Sequence, residues 1–229
     1  MTRYGVYLND KSKQDTKAKS FVGGIPKLPK GTNLPTCSLC NSAETFFFQI
    51  AFPDDHPWKG VTLAMFACTS CTHEDFLIPE MLTIKLKGAI IPHGFLQTYQ
   101  RNFHTFVFQT HTGVLVSDYD EKIIFREIIF RHTKSNRQEF GIIGNGPDWI
   151  LEDESPSTYE GKEMLFLLQI HFENQFEIMA DSSKQIELSL KGTPEPSPFG
   201  YYQLFIGNEI YLYGSKKPEN NVYIWTQVE

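Results

Sequence analysis

The sequence predicts a mainly β fold, β-rich α+β in class, and three observations predict it. Nineteen Phe and ten Tyr occur among 229 residues. With few Ala and many β-branched side chains, that composition suits pleated, half-buried surfaces better than helices. A strand-like motif also occurs twice, as Phe46-Phe-Phe-Gln-Ile-Ala-Phe52 and, 120 residues later, as Phe166-Leu-Leu-Gln-Ile-His-Phe172. Finally, two Cys-x-x-Cys pairs bracket the first copy, Cys37 with Cys40 and Cys68 with Cys71. Each pair offers adjacent ligands from one tight turn, and the 27 residues between the pairs let the two turns face each other. Four thiolates so placed make a tetrahedral metal site that is closed to substrate, hence structural, with zinc the expected ion.

Along the chain, residues 3–8 alternate as a short strand, and residues 9–20 are polar and lysine-rich, a loop or frayed helix. Residues 21–35 contain Gly23, Gly24, Pro26, Pro29, Gly31 and Pro35. So many breakers predict an ordered loop wrapping the surface. Cys37-Ser-Leu-Cys40-Asn41 reads as a metal-binding turn, and Asn41 suits the left-handed conformation that follows such a turn. Residues 45–52 form a strand that is apolar on both faces except at Gln49. Asp54, Asp55, Pro57 and Gly60 turn the chain, and Val61–Ala67 returns as the strand that delivers Cys68. Residues 83–91 and Phe103–Gln109 read as further strands, residues 93–100 are ambiguous, and residues 122–131 suit a long strand.

In the remainder, Phe166 opens the second Phe/Gln strand and residues 185–190 form another. Residues 192–200, with three prolines, form a stiff loop, and residues 204–213 suggest a hairpin turning at Gly207-Asn208. Val222–Gln227 closes the chain as a strand. The repeat extends beyond its core motif: Val22-Gly-Gly-Ile-Pro26 is echoed by Ile143-Gly-Asn-Gly-Pro147, at 23 and 22 residues from Gln49 and Gln169 respectively. Residues 63–66 align with 203–206. The expectation is one domain spanning 1–229, built from two similar halves of about 1–115 and 116–229, with zinc in the first alone.

Phe21-Val-Gly-Gly-Ile-Pro-Lys-Leu-Pro29, then Pro35-Thr-Cys-Ser-Leu-Cys40 and a Phe-x-x-Gln-Ile strand, resembles the YwqG-like family of bacterial proteins of uncharacterised function. The second half adds Gly144-Asn-Gly-Pro-Asp-Trp149, Phe166-Leu-Leu-Gln169, Tyr202-Gln-Leu-Phe-Ile206 and Trp225-Thr-Gln227, so the resemblance covers roughly residues 21–227. Asn145 departs from the family's second glycine, and its Trp-Gly-Asp segment is not evident near residues 176–182. A more distant resemblance is to the programmed-cell-death-protein-two family, with similar Cys-x-x-Cys and Phe-Leu-Leu-Gln motifs. What these resemblances imply is a metal-stapled β fold and a binding role: immunity to a cognate toxin, or chaperoning of a client.

Charge and motifs narrow the function classes. The net charge of −6 argues against nucleic-acid binding. Residues 1–30 hold seven Lys/Arg against two Asp, a balance of +5 that leaves −11 on the other 199. The basic arm is expected to be solvated, while the acidic body favours a basic protein partner. The opening residues lack the apolar core of a secretory signal and no apolar run is long enough to span a membrane, so the cytoplasm, where thiolates stay reduced, is expected. Iron in the same four-sulfur site, redox-active Cys-x-x-Cys turns, plain reduced thiols, and His73 in place of one thiolate stay open. Hydrolase, P-loop and metalloprotease motifs are absent, and Gly144-Asn-Gly146 runs into Pro-Asp-Trp where a dinucleotide loop needs a third glycine. The leading function is a non-catalytic protein-interaction module that presents loops such as residues 21–35 and 148–161. The alternative is an enzyme with a cleft between the halves. Gln49 and Gln169, amides on core strands, either anchor loop backbone or line that cleft; burial without a partner would cost roughly 1–3 kcal/mol.

Overall fold

The computed structural model of the protein describes residues 2–10, 13–72, 77–83, 87–98, 101–132, 140–172 and 174–228. Its first strands are β1 (Tyr4–Asn9), β2 (Phe21–Val22), β3 (Lys27–Pro29), β4 (Thr45–Ala51), β5 (Val61–Ala67) and β6 (Ala89–Ile91). The chain continues through β7 (Phe103–Gln109), β8 (Gly113–Leu115), β9 (Arg126–His132), β10 (Gly141–Ile143), β11 (Pro156–Tyr159) and β12 (Lys162–Ile170). It ends with β13 (Phe176–Glu177), β14 (Ile186–Leu188), β15 (Pro194–Pro196), β16 (Tyr201–Tyr202), β17 (Glu209–Ser215) and β18 (Val222–Gln227). Helix among the described residues is confined to α1 (Phe95–Thr98) and two 3-10 turns, Thr110–Thr112 and Leu204–Gly207. The fold is mainly β, as the composition predicts.

A twelve-stranded sheet carries most of these strands in the order β18-β17-β12-β10-β1-β9-β2-β4-β5-β7, with β11 and β6 branching from β12. β1 and β9 pair antiparallel at its middle, from Tyr4 opposite His132 to Asn9 opposite Glu127. On one side β9 pairs β2, which pairs β4; on the other β1 pairs β10, which pairs β12. The strands β5, β7 and β18 keep their predicted bounds, because each is an unbroken β-forming run ended by a change of residue type.

Three expectations are corrected. Within residues 21–35 the surface-loop reading fails for 21–29: Phe21 and Val22 join the sheet between β4 and β9, and β3 pairs β8, while 30–35 stay irregular. Phe21, Val22 and Leu28 are buried. The glycines there permit close approach instead of breaking structure. Gly23 sits at φ +60°, and a Cβ on it would lie 2.5 Å from the carbonyl oxygens of Ile123 and Ile124. The proline-rich stretch after Gly192 contains β15, which pairs back on β14. The hairpin at Gly207-Asn208 does not form, and residues 203–206, aligned above with 63–66, lie outside the sheet. Phe205 and Ile206 take left-handed backbone at φ 50° and 55°, and only Glu209–Ser215 is strand, paired with β12 and β18. Burial of Phe205 edge-on to Phe103, 5.2 Å between ring centres, competes with the strain of about 1–3 kcal/mol per residue. Of the strand expected over residues 83–91, positions 84–86 lie outside the described residues, and β6 is its end.

β4 is buried on both faces. A register irregularity between Phe46 and Phe48 breaks the two-residue period. Phe46 therefore joins a small cluster with Phe21, Leu28, Phe66, Phe108 and Phe125, while Phe48 and Ile50 face the large core. That large core takes side chains from both ends of the sheet order, including Leu63, Met65, Leu167, Leu168, Leu212 and Trp225. Trp58, on the turn between β4 and β5, is fully buried and donates its indole N–H to the Ser215 carbonyl of β17 at 2.9 Å.

His56 supports that tryptophan. Its ring stacks on Phe52 at 4.6 Å, and its Nδ1 accepts the Trp58 backbone N–H at 3.0 Å. Burial lowers its pKa from 6.5 to about 4. The unfolded chain therefore takes up this proton near pH 6.5 while the folded chain holds it off until about pH 4. Stability is full above the unfolded value and is lost as pH falls through that window, by up to about 3 kcal/mol. Chemical denaturation at pH 7 and pH 4.5 is expected to reveal this loss, and His56→Asn, whose Oδ1 can still accept the Trp58 N–H, is expected to flatten it. The difference between wild type and variant isolates His56 from buried Glu44, whose pKa burial raises and which acts in the opposite direction. An equal acid response in both proteins would refute the assignment.

Candidate metal centre

The two Cys-x-x-Cys turns meet beyond the ends of β4 and β5. The first is a small knuckle: Thr36 bridges Ala43, the Cys37 N–H donates to the Ser42 carbonyl, and the Asn41 N–H donates to the Cys37 carbonyl. Asn41 closes it in left-handed backbone at φ 61°, as its residue type predicts. The second turn leaves β5 directly. The Cys68 N–H donates to the Asn102 carbonyl, and the Ser70 N–H points at the Cys68 sulfur at 3.4 Å. Strand β5 thus carries one pair to the other without slack.

All four sulfurs lie within 4.8 Å of one another. Cys37 to Cys71 is 3.9 Å, Cys40 to Cys68 is 3.7 Å and Cys68 to Cys71 is 3.6 Å. Disulfide bonds are excluded, since they need about 2.05 Å. A tetrahedral ion with metal–sulfur bonds of about 2.3 Å would hold its ligands about 3.8 Å apart, so the donor set fits a metal ion. Cys37 is buried, Cys68 and Cys71 are half-buried, and Cys40 stands exposed at the rim. Without a cation these thiols do not ionise together. Burial pushes Cys68 up to about 12 and raises Cys71 further, and the neighbouring thiols Cys37 and Cys40 add to both rises. For Cys40, burial is outweighed by hydrogen bonds from Ser42 and the other sulfurs, which bring it down to about 7. A divalent ion would supply the missing positive charge and release the protons. His73 lies outside the described residues.

Beside the cysteines is a cavity of about 290 Å³, lined in part by Cys68, Cys71, Phe47, Glu187, Leu204 and Phe205. The strained Phe205-Ile206 turn forms one wall of it. Sequence reading missed this cavity, since its walls come from segments more than 100 residues apart; the only local signal was a Leu-Phe-Ile run too apolar for an ordinary turn.

The two glutamines bind loop backbone. Gln49 accepts the Lys27 N–H at 2.9 Å and donates to the Lys19 carbonyl at 2.9 Å. Gln169 accepts the Asp148 N–H at 2.7 Å and donates to the Asp148 carbonyl at 2.8 Å. Gln169 also meets buried Glu209, which takes the His171 ring nitrogen at 2.9 Å and the Phe172 N–H at 2.8 Å. A second buried carboxylate, Glu44, pairs with His104 at 2.8 Å. Neither carboxylate–imidazole pair was singled out from sequence, because the partners are 38 and 60 residues apart. In the acidic run 152–154, Asp153 pairs with Lys87 at 3.1 Å.

No helix among the described residues is long and apolar enough to cross a membrane. The fold and donor set define a mainly β protein with a four-cysteine site able to hold a metal ion. Comparison with protein-family models and with curated proteins finds no match.

Proposed function

We infer that this chain is a zinc-stapled, non-catalytic binding module of the YwqG-like kind, built from two copies of one sheet unit, whose partner is a basic segment of another protein. Duplication is supported by matched pairings on either side of β1 and β9. Phe21 lies opposite Gln49 as Ile142 lies opposite Gln169. Register irregularities fall at Phe46/Phe48 and at Phe166/Leu168. Each glutamine accepts the N–H that follows a Gly/Pro turn, Lys27 after Pro26 and Asp148 after Pro147. In the second copy, Ser215 occupies the place of a cysteine.

The observation that carries the binding reading is the cavity beside the cysteines. Four thiolates around one divalent ion keep a net charge of about −2, and Glu187 adds to it. The remaining walls mix apolar side chains such as Phe47, Leu204 and Phe205 with the polar Asn102, Gln185 and Gln203, so the cavity suits a lysine or arginine side chain, with an aliphatic stem and a cationic head. Strained backbone at Phe205 and Ile206 is the kind of local cost that persists at binding sites. Of residues 21–35, proposed above as a presenting loop, 21–28 are mostly buried, and only the exposed tip around Lys30, Gly31 and Asn33 is open to a partner. The enzyme reading would rest on His171 and Glu209, which line none of the cavities described in this structure. A reducing compartment such as the cytoplasm agrees with thiolate ligation.

Affinity capture from the source cell tests the reading. Wild type is expected to recover one stoichiometric partner with a basic segment, and Glu187→Lys to lose it at unchanged metal content. No stoichiometric partner, or equal recovery by the variant, overturns it.

A further inference from the structure

The lysines of the basic arm converge on a second cavity, distant in the fold from the cysteines. Lys27 is buried, 8% exposed, and its Nζ donates to the Thr16 and Ala18 carbonyls at 2.6 Å each. No carboxylate among the described residues lies within ion-pair distance of it. The acid whose charge acts on it is Asp15, whose Oδ1 accepts the backbone N–H groups of Lys17 and Ala18. Carbonyl dipoles are not a countercharge, and a buried ammonium without one is costly. Burial accordingly lowers the Lys27 pKa, with Asp15 opposing the shift.

Three anchors hold the segment around it. Lys27 fixes Thr16 and Ala18, Gln49 fixes Lys19, and Asp15 fixes Lys17 and Ala18. With these carbonyls turned inward, Lys17 and Lys19 stand exposed at the mouth of a cavity of about 290 Å³ whose walls include Lys27, Phe108, Thr110 and His111. No acidic residue lines it. In a chain of net charge −6, three lysines around one hollow concentrate positive potential where an anion can enter. Phe108 supplies an apolar wall, and the volume is at the small end of small-molecule sites.

We propose that this cavity binds a small organic oxyanion, a carboxylate or phosphate carried on an apolar body, which completes the pairing of Lys27. The site does not involve the metal and stands apart from the partner cavity.

Calorimetric titration at fixed ionic strength with inorganic phosphate, benzoate and phenyl phosphate tests it. Saturable binding of benzoate or phenyl phosphate is expected. Preference for benzoate identifies the group as a carboxylate, and preference for phenyl phosphate as a phosphate. The double variant Lys17→Ala/Lys19→Ala, altered only at exposed positions, is expected to bind about tenfold more weakly with an unchanged melting temperature. Lys27→Met is expected to abolish binding, and the double variant keeps the test decisive if that substitution disturbs folding. Absence of saturable binding by both benzoate and phenyl phosphate, whether or not inorganic phosphate binds, or equal binding by wild type and the double variant, overturns the proposal.

Discussion

Purified protein is expected to contain one zinc ion per chain, and stripping that ion with a strong chelator is expected to lower its melting temperature by tens of degrees. Apparent folding free energy from a closed four-sulfur site is on the order of 10 kcal/mol. In a chain of this size each kcal/mol shifts melting by roughly 2–4 °C. Two links carry the loss into the sheet: Cys68 directly follows β5, and the Cys37 knuckle is bound to the Pro35–Glu44 backbone just before β4. Cys40→Ser is the most informative substitution, because Cys40 is exposed and its loss disturbs no core packing. A metal-free protein as purified, or an unchanged melting temperature after chelation or in Cys40→Ser, would contradict the staple. A coloured protein carrying iron in place of zinc would keep the site and change its ion.

The second large effect is expected at Trp58. Trp58→Ala removes a fully buried side chain and leaves the Ser215 carbonyl without its indole donor. The cost should be about 3–5 kcal/mol, or roughly 10 °C in melting temperature. Gly214, next to Ser215 on β17, reports the same contact from the other side. A Cβ there would lie 2.5 Å from the Trp58 ring, so Gly214→Ala should destabilise wild type strongly and the Trp58→Ala background much less. Additive effects in that double-mutant cycle, or a Trp58→Ala protein that melts with wild type, would remove Trp58 from the core contact assigned to it.

These two sites differ in how far they could be read from the chain. The cysteines announce themselves, because metal ligation needs a specific residue type at a specific spacing and both survive in one dimension. Trp58 does not. It lies in a turn rich in Asp, Pro and Gly, and its partner is 157 residues away. The same contrast runs through the strands. Val61–Ala67, Phe103–Gln109 and Val222–Gln227 are legible because each is an unbroken run of β-forming residues, continuously buried in the first and last. The two-residue β2 was hidden among glycines, since only its pairing with both β4 and β9 makes it a strand. The predicted hairpin at Gly207-Asn208 failed for the opposite reason: a sound local turn signal was overridden when the core took Phe205.

By itself, then, the sequence determined the β class, the major strands and the four cysteines able to hold a metal ion, because composition, period and cysteine spacing are properties of neighbours along the chain. The tertiary structure alone decided that Phe21 and Val22 enter the large sheet, that Trp58 locks to β17, and that Lys17, Lys19 and Lys27 line one hollow. Those arrangements depend on distances between segments that no local pattern encodes. They were settled by the burial of large aromatic side chains and by the need of buried amide and ammonium groups to find partners.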